Sequence, residues 1–455
     1  MSWKPADREN IEALADWLLA EAKRRGAEGA EVAYSEGEGN SLSLKDGEVE
    51  ECISGASSAL GVRVLLGGGR QGAASGDKLD KASVSELLDW SLSNAGSAEP
   101  EEGVFLYSGE PLFADPEILQ IDPEIDRITA QQRMESCRQL TALAGSADSR
   151  IISVRAAAWQ DGRGSDFYAS TEGLSGWERG SSASCEAVVL AQQNGCTEMG
   201  GYGMDSHRLC ELDVEKTALR AVSDAVSALG GSPVKTGNYT IVLEPEAAAS
   251  LIEITGDLFC ATDIQKNRSM MKGKLGETVA SACFTLSDNG RIPWKAGTSC
   301  WDSEGVPTGE TVLIENGIAK NYLYNLQSAY KDGVKSTGNC VRGLSTLPNT
   351  GCSNLVLKGG GETEQALVAS LKKGIYLTEF MGLHTIDPVS GDFSVGAKGL
   401  LIENGEKTRP VSGITIASNL FDFLKNITAV GSDVQFFDAV SAAALVVENI
   451  TVAGK

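Results

Sequence analysis

Two histidines, His207 and His384, are all the imidazole in this chain of 455 residues. A zincin-type peptidase centre needs two imidazoles one helical turn apart with a glutamate between them, to seat the ion and attend its water. No His-Glu pair occurs, so the chain carries no self-contained centre of that kind. His384 lies in residues 382–406, GLHTIDPVSGDFSVGAKGLLIENGE, where five glycines and an Asp-Phe-Ser triplet share 25 positions. It could activate Ser394, or a thiol such as Cys340, as the base of a nucleophilic hydrolase if folding joins them. No Gly-x-Ser-x-Gly elbow supports that chemistry. A lone loop histidine equally suits a structural hydrogen bond or a substrate contact, and His207 reads as structural.

Small polar residues offer a second chemistry. Ser328-Ala329, followed by Ser336-Thr337-Gly338-Asn339, sets hydroxyls and an amide beside glycine, a way to grip an extended peptide backbone without bulk. The turn Thr350-Gly351-Cys352-Ser353-Asn354 can border the same cleft. Glu253 and Asp257, four positions apart, can share a helix face and hold a hard cation; a solvated pair of acids is the plainer explanation. Gly359-Gly360-Gly361 stands between a strand and a helix, where an anion can bind. Glu362 and Glu364 follow at once and no Gly-Lys-Ser/Thr comes after, so a tight turn with acids complementing the helix dipole is expected. Gly67-Gly68-Gly69 reads as a hairpin turn.

Residues 382–406, the segments Ser328-Ala329 and Ser336-Thr337-Gly338-Asn339, and Ser170-Thr171-Glu172-Gly173-Leu174 resemble the TldD/PmbA family. Its members are described as modulators of DNA gyrase and classed with metallopeptidases. The similarity runs over most of the chain and is strongest after residue 230. It implies one of two related subunits of a cytoplasmic proteolytic assembly. In the metal-bearing branch a His-Glu-x-x-x-His motif occupies the helix after the first strand of the C-terminal half. The corresponding place here, about residues 253–258, reads Glu-Ile-Thr-Gly-Asp-Leu. The resemblance therefore implies the PmbA/TldE type, without catalytic residues or a metal of its own. A TldD-type partner would supply zinc and the activated water. This subunit would help to bind unstructured peptides for degradation or precursor processing, through Ser328, Thr337, Asn339, His384 and Thr385. Isolated, it could form a homodimer. Two alternatives stand beside this one: a homodimeric hydrolase with its own Ser, Cys or carboxylate chemistry, and a gyrase-related binding protein without proteolysis.

The scaffold that must position these groups is acidic. With 62 acidic against 39 basic side chains, a net charge of -23 repels phosphate backbones, so no direct nucleic-acid contact is expected. The densest basic cluster, Lys23-Arg24-Arg25, falls at a helix end, where cations complement the dipole. An apolar fraction of 42% with 22% charge is ordinary for a globular protein. No run approaches the ~18 apolar residues of a spanning helix, and the polar start has no apolar h-region of a signal peptide. Ten cysteines, never as Cys-x-x-Cys, scatter as reduced thiols do. A soluble, cytoplasmic protein is the expectation.

Length suggests about three domains. An N-terminal α/β unit is expected over 1–100, with helices at 7–25 and 82–94, strands at 31–34, 41–45, 49–53 and 60–66, and a linker at 97–103. A central unit over 101–232 should hold a helix at 126–144, a meander at 151–159, 164–170 and 176–191, and a helix at 213–229. Asp213 would cap that last helix and Gly230-Gly231 stop it. The C-terminal half, 233–455, should open with a strand at 239–243 and a helix at 245–259, then turn strand-rich. A βαβ-like unit is expected over 354–379, its strands at 354–357 and 375–379 around a helix at 363–373. Val312 to Gly317 and Leu400 to Gly405 both read as a buried strand entering an Asn-Gly hairpin; shared hairpin chemistry explains this as well as duplication. The whole is α+β, with large antiparallel or mixed sheets and few long helices.

Overall fold

The computed structural model describes residues 7–455 apart from Pro116 and Leu119; the part of the polar start in residues 1–6 lies outside them. Helix α1 (Arg8–Arg24) begins where the Asp7 side chain accepts the Glu9 amide. Strands β1 (Gly29–Lys45), β2 (Glu48–Leu66) and β3 (Arg70–Gly76) lead to α2 (Lys81–Ser97). After a long irregular segment come α3 (Ala130–Ala147), β4 (Ile151–Ser170), β5 (Ser175–Gln193), β6 (Cys196–Ser206) and α4 (Val214–Ala228). The six strands make one antiparallel sheet in the order β3-β2-β1-β4-β5-β6. The stretches 1–100 and 101–232 thus share a sheet, because β1 pairs along β4. Helices α1 and α2 cover one end and α3 and α4 the other, each pair burying an aliphatic cluster.

Strands expected as separate pieces at 31–34 and 41–45, at 49–53 and 60–66, and at 151–159 and 164–170 are continuous. Their glycine- and serine-rich middles have weak strand propensity alone but lie in register, Gly37 opposite Gly164 and Gly39 opposite Gly55. Asp46-Gly47 makes the expected tight turn, with φ of 48° and 87°. Helix α3 starts later than expected because Thr129 and Gln132 form a capping box, and residues 125–127 make a separate turn of 3-10 helix.

The C-terminal half opens with β7 (Gly237–Leu243), α5 (Pro245–Asp257), α6 (Ala261–Gln265) and β8 (Leu286–Asn289). Next come β9 (Glu310–Glu315), β10 (Ile318–Ala319), α7 (Leu326–Asp332), β11 (Cys340–Val341), β12 (Asn349–Thr350) and β13 (Leu355–Leu357). Then follow α8 (Glu364–Ala369), β14 (Lys373–Met381), β15 (Asp392–Glu403), β16 (Glu406–Asn419) and α9 (Leu420–Lys425). Strands β17 (Ile427–Val430), β18 (Gln435–Phe437), β19 (Val440–Ala442) and β20 (Leu445–Ala453) finish the chain. One mixed sheet runs β10-β9-β8-β13-β19-β18 and another β16-β15-β14-β7-β20-β17. Helix α5 packs against both, and its Ala248, Leu251 and Ile252 join the largest apolar cluster. The architecture is α+β, as expected.

The βαβ-like unit is corrected: β13 and β14 lie in different sheets, which alternation of apolar residues cannot foretell. Gly360 sits where a Cβ would meet the Val430 carbonyl at 1.9 Å, so the glycine run is a close backbone crossing. Both Asn-Gly hairpins form, β9 to β10 and β15 to β16, with positive φ at Asn316, Gly317, Asn404 and Gly405. Among the described residues, no helix is long and apolar enough to cross a membrane.

Candidate functional site

A cleft of about 400 Å³ opens where the N-terminal sheet meets the start of α5. Its walls come from β6 (Glu198 to Gly201), α4 (Arg220, Asp224), the β7–α5 junction (Glu244, Glu246, Ser250) and the strands β14 and β15 (Glu379, Lys398). Local sequence sets these positions. Pro245 at the first helical position starts α5 directly after Glu244, whose amide bonds the Leu377 carbonyl at 2.9 Å. A Cβ on Gly200 would stand 2.3 Å from the Ala225 amide, so only glycine lets α4 lie this close on β6 and bring Arg220 to the rim. Glu379 and Lys398 face each other across β14 and β15 and form an ion pair of 2.5 Å.

Arg220 organises the charge. Its Nε pairs with Asp224 Oδ1 at 2.9 Å and its Nη2 donates to Glu244 Oε1. Burial works against the guanidinium, but Glu244 and Asp224 outweigh it and hold its pKa above the usual range. One cation does not serve three acids. Burial pushes the carboxyls of Glu244, Asp224 and Glu246 above their ordinary values despite Arg220, and Asp224 adds repulsion at both glutamates. Glu246 has no side-chain hydrogen-bond partner among the described residues and is exposed to the cleft. With Glu198 and Glu379 the lining holds five carboxylates against Arg220 and Lys398, an excess of negative charge that attracts cationic groups.

A peptidase zinc does not fit these residues. The lining contains neither imidazole nor thiol, and a fixed guanidinium stands among its acids. His207 is elsewhere, its Nδ1 donating to the Ser181 carbonyl at 2.7 Å. The cleft meets α5 at Glu246, Ala247 and Ser250, at the opposite end of the helix from Asp257. Sequence reasoning singled out this helix but looked at residues 253–258, and it missed Arg220, Glu244 and Glu246. The available signal was the Pro-initiated helix start directly after the first strand of the C-terminal half.

None of the five expected peptide contacts lines this cleft. Ser328 is buried in the capping box of α7, its amide donating to Asn325 Oδ1 at 2.9 Å. Thr337 Oγ1 accepts the Tyr324 amide at 2.8 Å and donates to Asn339 Oδ1 at 2.7 Å. Asn339 Nδ2 donates to Asp288 Oδ2 at 2.7 Å and to the Gly351 carbonyl at 3.1 Å. Asn339 therefore meets the 350–354 turn, and Thr337 reaches it only through Asn339, by bonds internal to the fold. Burial pushes the Asp288 carboxyl up to about 6. His384 and Thr385 are exposed on a turn of 3-10 helix, Leu383–Thr385. His384 makes no hydrogen bond to Ser394, and Cys340 is buried with its amide bonded to Asp302.

Residues 236–454 match the PmbA/TldA metallopeptidase C-terminal domain, residues 30–95 domain 1 of the same group, and residues 123–229 its central domain. The metalloprotease PmbA of Escherichia coli O157:H7 is 26% identical over 459 residues, spanning 99% of this chain and 97% of that protein. The crystal structure of a candidate modulator of a DNA gyrase from Thermotoga maritima superposes with a TM-score of 0.88 at 27% identity, covering 97% of this chain and all of the other. TldE from Thermococcus kodakarensis gives a TM-score of 0.88 over 97% of this chain and all of its own, with 23% identity, a level that speaks for the fold alone.

Proposed function

This chain belongs to the PmbA/TldD metallopeptidase family, and from that premise we propose that it is the subunit without catalytic zinc in a two-subunit peptidase assembly. A TldD-type partner supplies the ion and its activated water; this chain helps to hold unstructured peptides for proteolysis or precursor processing. The observation that carries the proposal is the lining of the cleft at the start of α5, where carboxylates and Arg220 stand and no imidazole or thiol does. Excess acid there favours the amide and ammonium groups of an extended chain. His384 and Thr385, exposed on their turn, are proposed to touch peptide or partner directly, while Ser328, Thr337 and Asn339 hold the neighbouring loops in shape. The cysteines, all unpaired, support a reducing, cytoplasmic setting.

The test is peptidase turnover of the purified chain with and without a TldD-type partner. Alone it should be inactive; the pair should degrade unstructured peptides, and Glu246→Gln here should slow the pair. Robust turnover by this chain alone, abolished by a chelator, overturns the proposal.

A further inference from the structure

At the end of α5 away from the cleft, three side chains from separate segments converge. Asp257 is the last residue of α5, Cys260 caps α6, and Cys352 sits in the turn after β12. Asp257 and Glu246 are separated by about 16 Å of helix rise, so this cluster is distinct from the cleft. One ligand atom from each residue lies within 4.8 Å of the other two, and Cys352 Sγ is 3.8 Å from Asp257 Oδ1. Around a tetrahedral zinc-class ion, two thiolates and a carboxylate oxygen stand about 3.5–3.8 Å apart. The trio thus needs only small side-chain movement to close on one ion.

The setting favours a cation. Glu253 and Asp263 repel Asp257, and Asp288 adds negative charge beside Cys352. Among the described residues no lysine or arginine forms an ion pair with Asp257, Glu253, Asp263 or Asp288. Burial is graded from Cys260, inside, through Cys352 to exposed Asp257, which leaves one side open to solvent. The frame is tied down: Thr350 Oγ1 bonds Thr262 Oγ1 at 3.1 Å, and the Ser353 amide donates to Asp288 at 2.6 Å.

We propose that Asp257, Cys260 and Cys352 form a site for a single zinc-class divalent cation, with its fourth position open to water. Binding releases the two thiol protons as both thiolates take the ion. The ion then staples the α5–α6 corner to the β12 turn.

Cobalt(II) added to the reduced full-length chain tests this. Thiolate-to-cobalt charge-transfer absorption should appear, saturate at one ion per chain and be displaced by zinc. Cys352→Ser, at a half-buried turn, should remove it. Asp257→Asn, at an exposed position, should keep the absorption but weaken binding on the order of tenfold or more. Cys196→Ser, an exposed thiol, should change nothing. Absence of charge transfer in the reduced wild-type chain, or its survival in Cys352→Ser, overturns the site. No peptidase assay enters, so a failure here leaves the subunit assignment standing.

Discussion

Arginine and carboxylate meet in two places, under opposite conditions. At the seam between the N-terminal sheet and the C-terminal half, Arg63 and Arg342 share Glu31 Oε1 at 2.9 and 2.7 Å, and Tyr168 Oη donates to its other oxygen at 2.8 Å. Burial alone would raise the Glu31 carboxyl, but the two guanidiniums outweigh it and hold its pKa below the usual range. Two cations answer Glu31 and Glu304 there, with side chains no more than 3% exposed. In the cleft, Arg220 is 33% exposed and outnumbered by Asp224, Glu244 and Glu246. The balanced, dry cluster joins two halves of the fold. The unbalanced, wet one leaves charge for a ligand to answer.

The largest expected effect sharpens that contrast. Arg63→Met leaves Glu31 and Glu304 buried with one cation fewer and removes the bond from Arg63 Nε to Gln71. It should destabilise the chain by about 3–5 kcal/mol in urea unfolding. Arg220→Met should cost less, about 1–3 kcal/mol, since water and salt screen the partly exposed Arg220 and Asp224 while Glu244 is buried, yet it should slow the assembled peptidase. Equal loss of stability at both positions would break the comparison.

A second prediction concerns pH at the seam. Burial, followed by repulsion from Glu304, pushes the Asp302 carboxyl from 3.8 up to about 7. An acid with a raised folded-state pKa binds its proton more tightly in the native chain. Its stabilisation is therefore complete below about pH 4 and lost as pH rises through about 7. Asp302→Asn should flatten the stability profile across that window by roughly 2–4 kcal/mol. A mutant profile as steep as the wild type's would place the titration elsewhere.

Local chemistry was legible in the sequence and long-range partnership was not. Asp46-Gly47, Asn404-Gly405, the Asp213 cap and Pro245 each act through neighbours within four positions, so their turns and helix ends could be read directly. The middle of β1 is extended only because β2 and β4 flank it in register, which no window of sequence contains. The same limit applies to the cleft. Arg220 and Glu244 are 24 positions apart, and neither stands out until the β6–α4 packing through Gly200 brings them together. Ser328 and Asn339 looked like free donors in sequence, but the fold spends their bonds on Asn325 and Asp288.

The smallest effect on the fold, and the finest test of cleft against loop, is His384→Ala. The side chain is exposed and forms no hydrogen bond among the described residues, so stability should stay within about 0.5 kcal/mol. If the imidazole only touches peptide, it binds ground state and transition state alike. KM of the assembled peptidase should then rise about two- to fivefold with kcat unchanged. Glu246→Gln should raise KM in the same way if it too holds substrate without reacting with it. A fall in kcat of orders of magnitude for His384→Ala, with KM unmoved, would make the loop the seat of chemistry and the cleft its accessory, inverting the order in which their electrostatics place them.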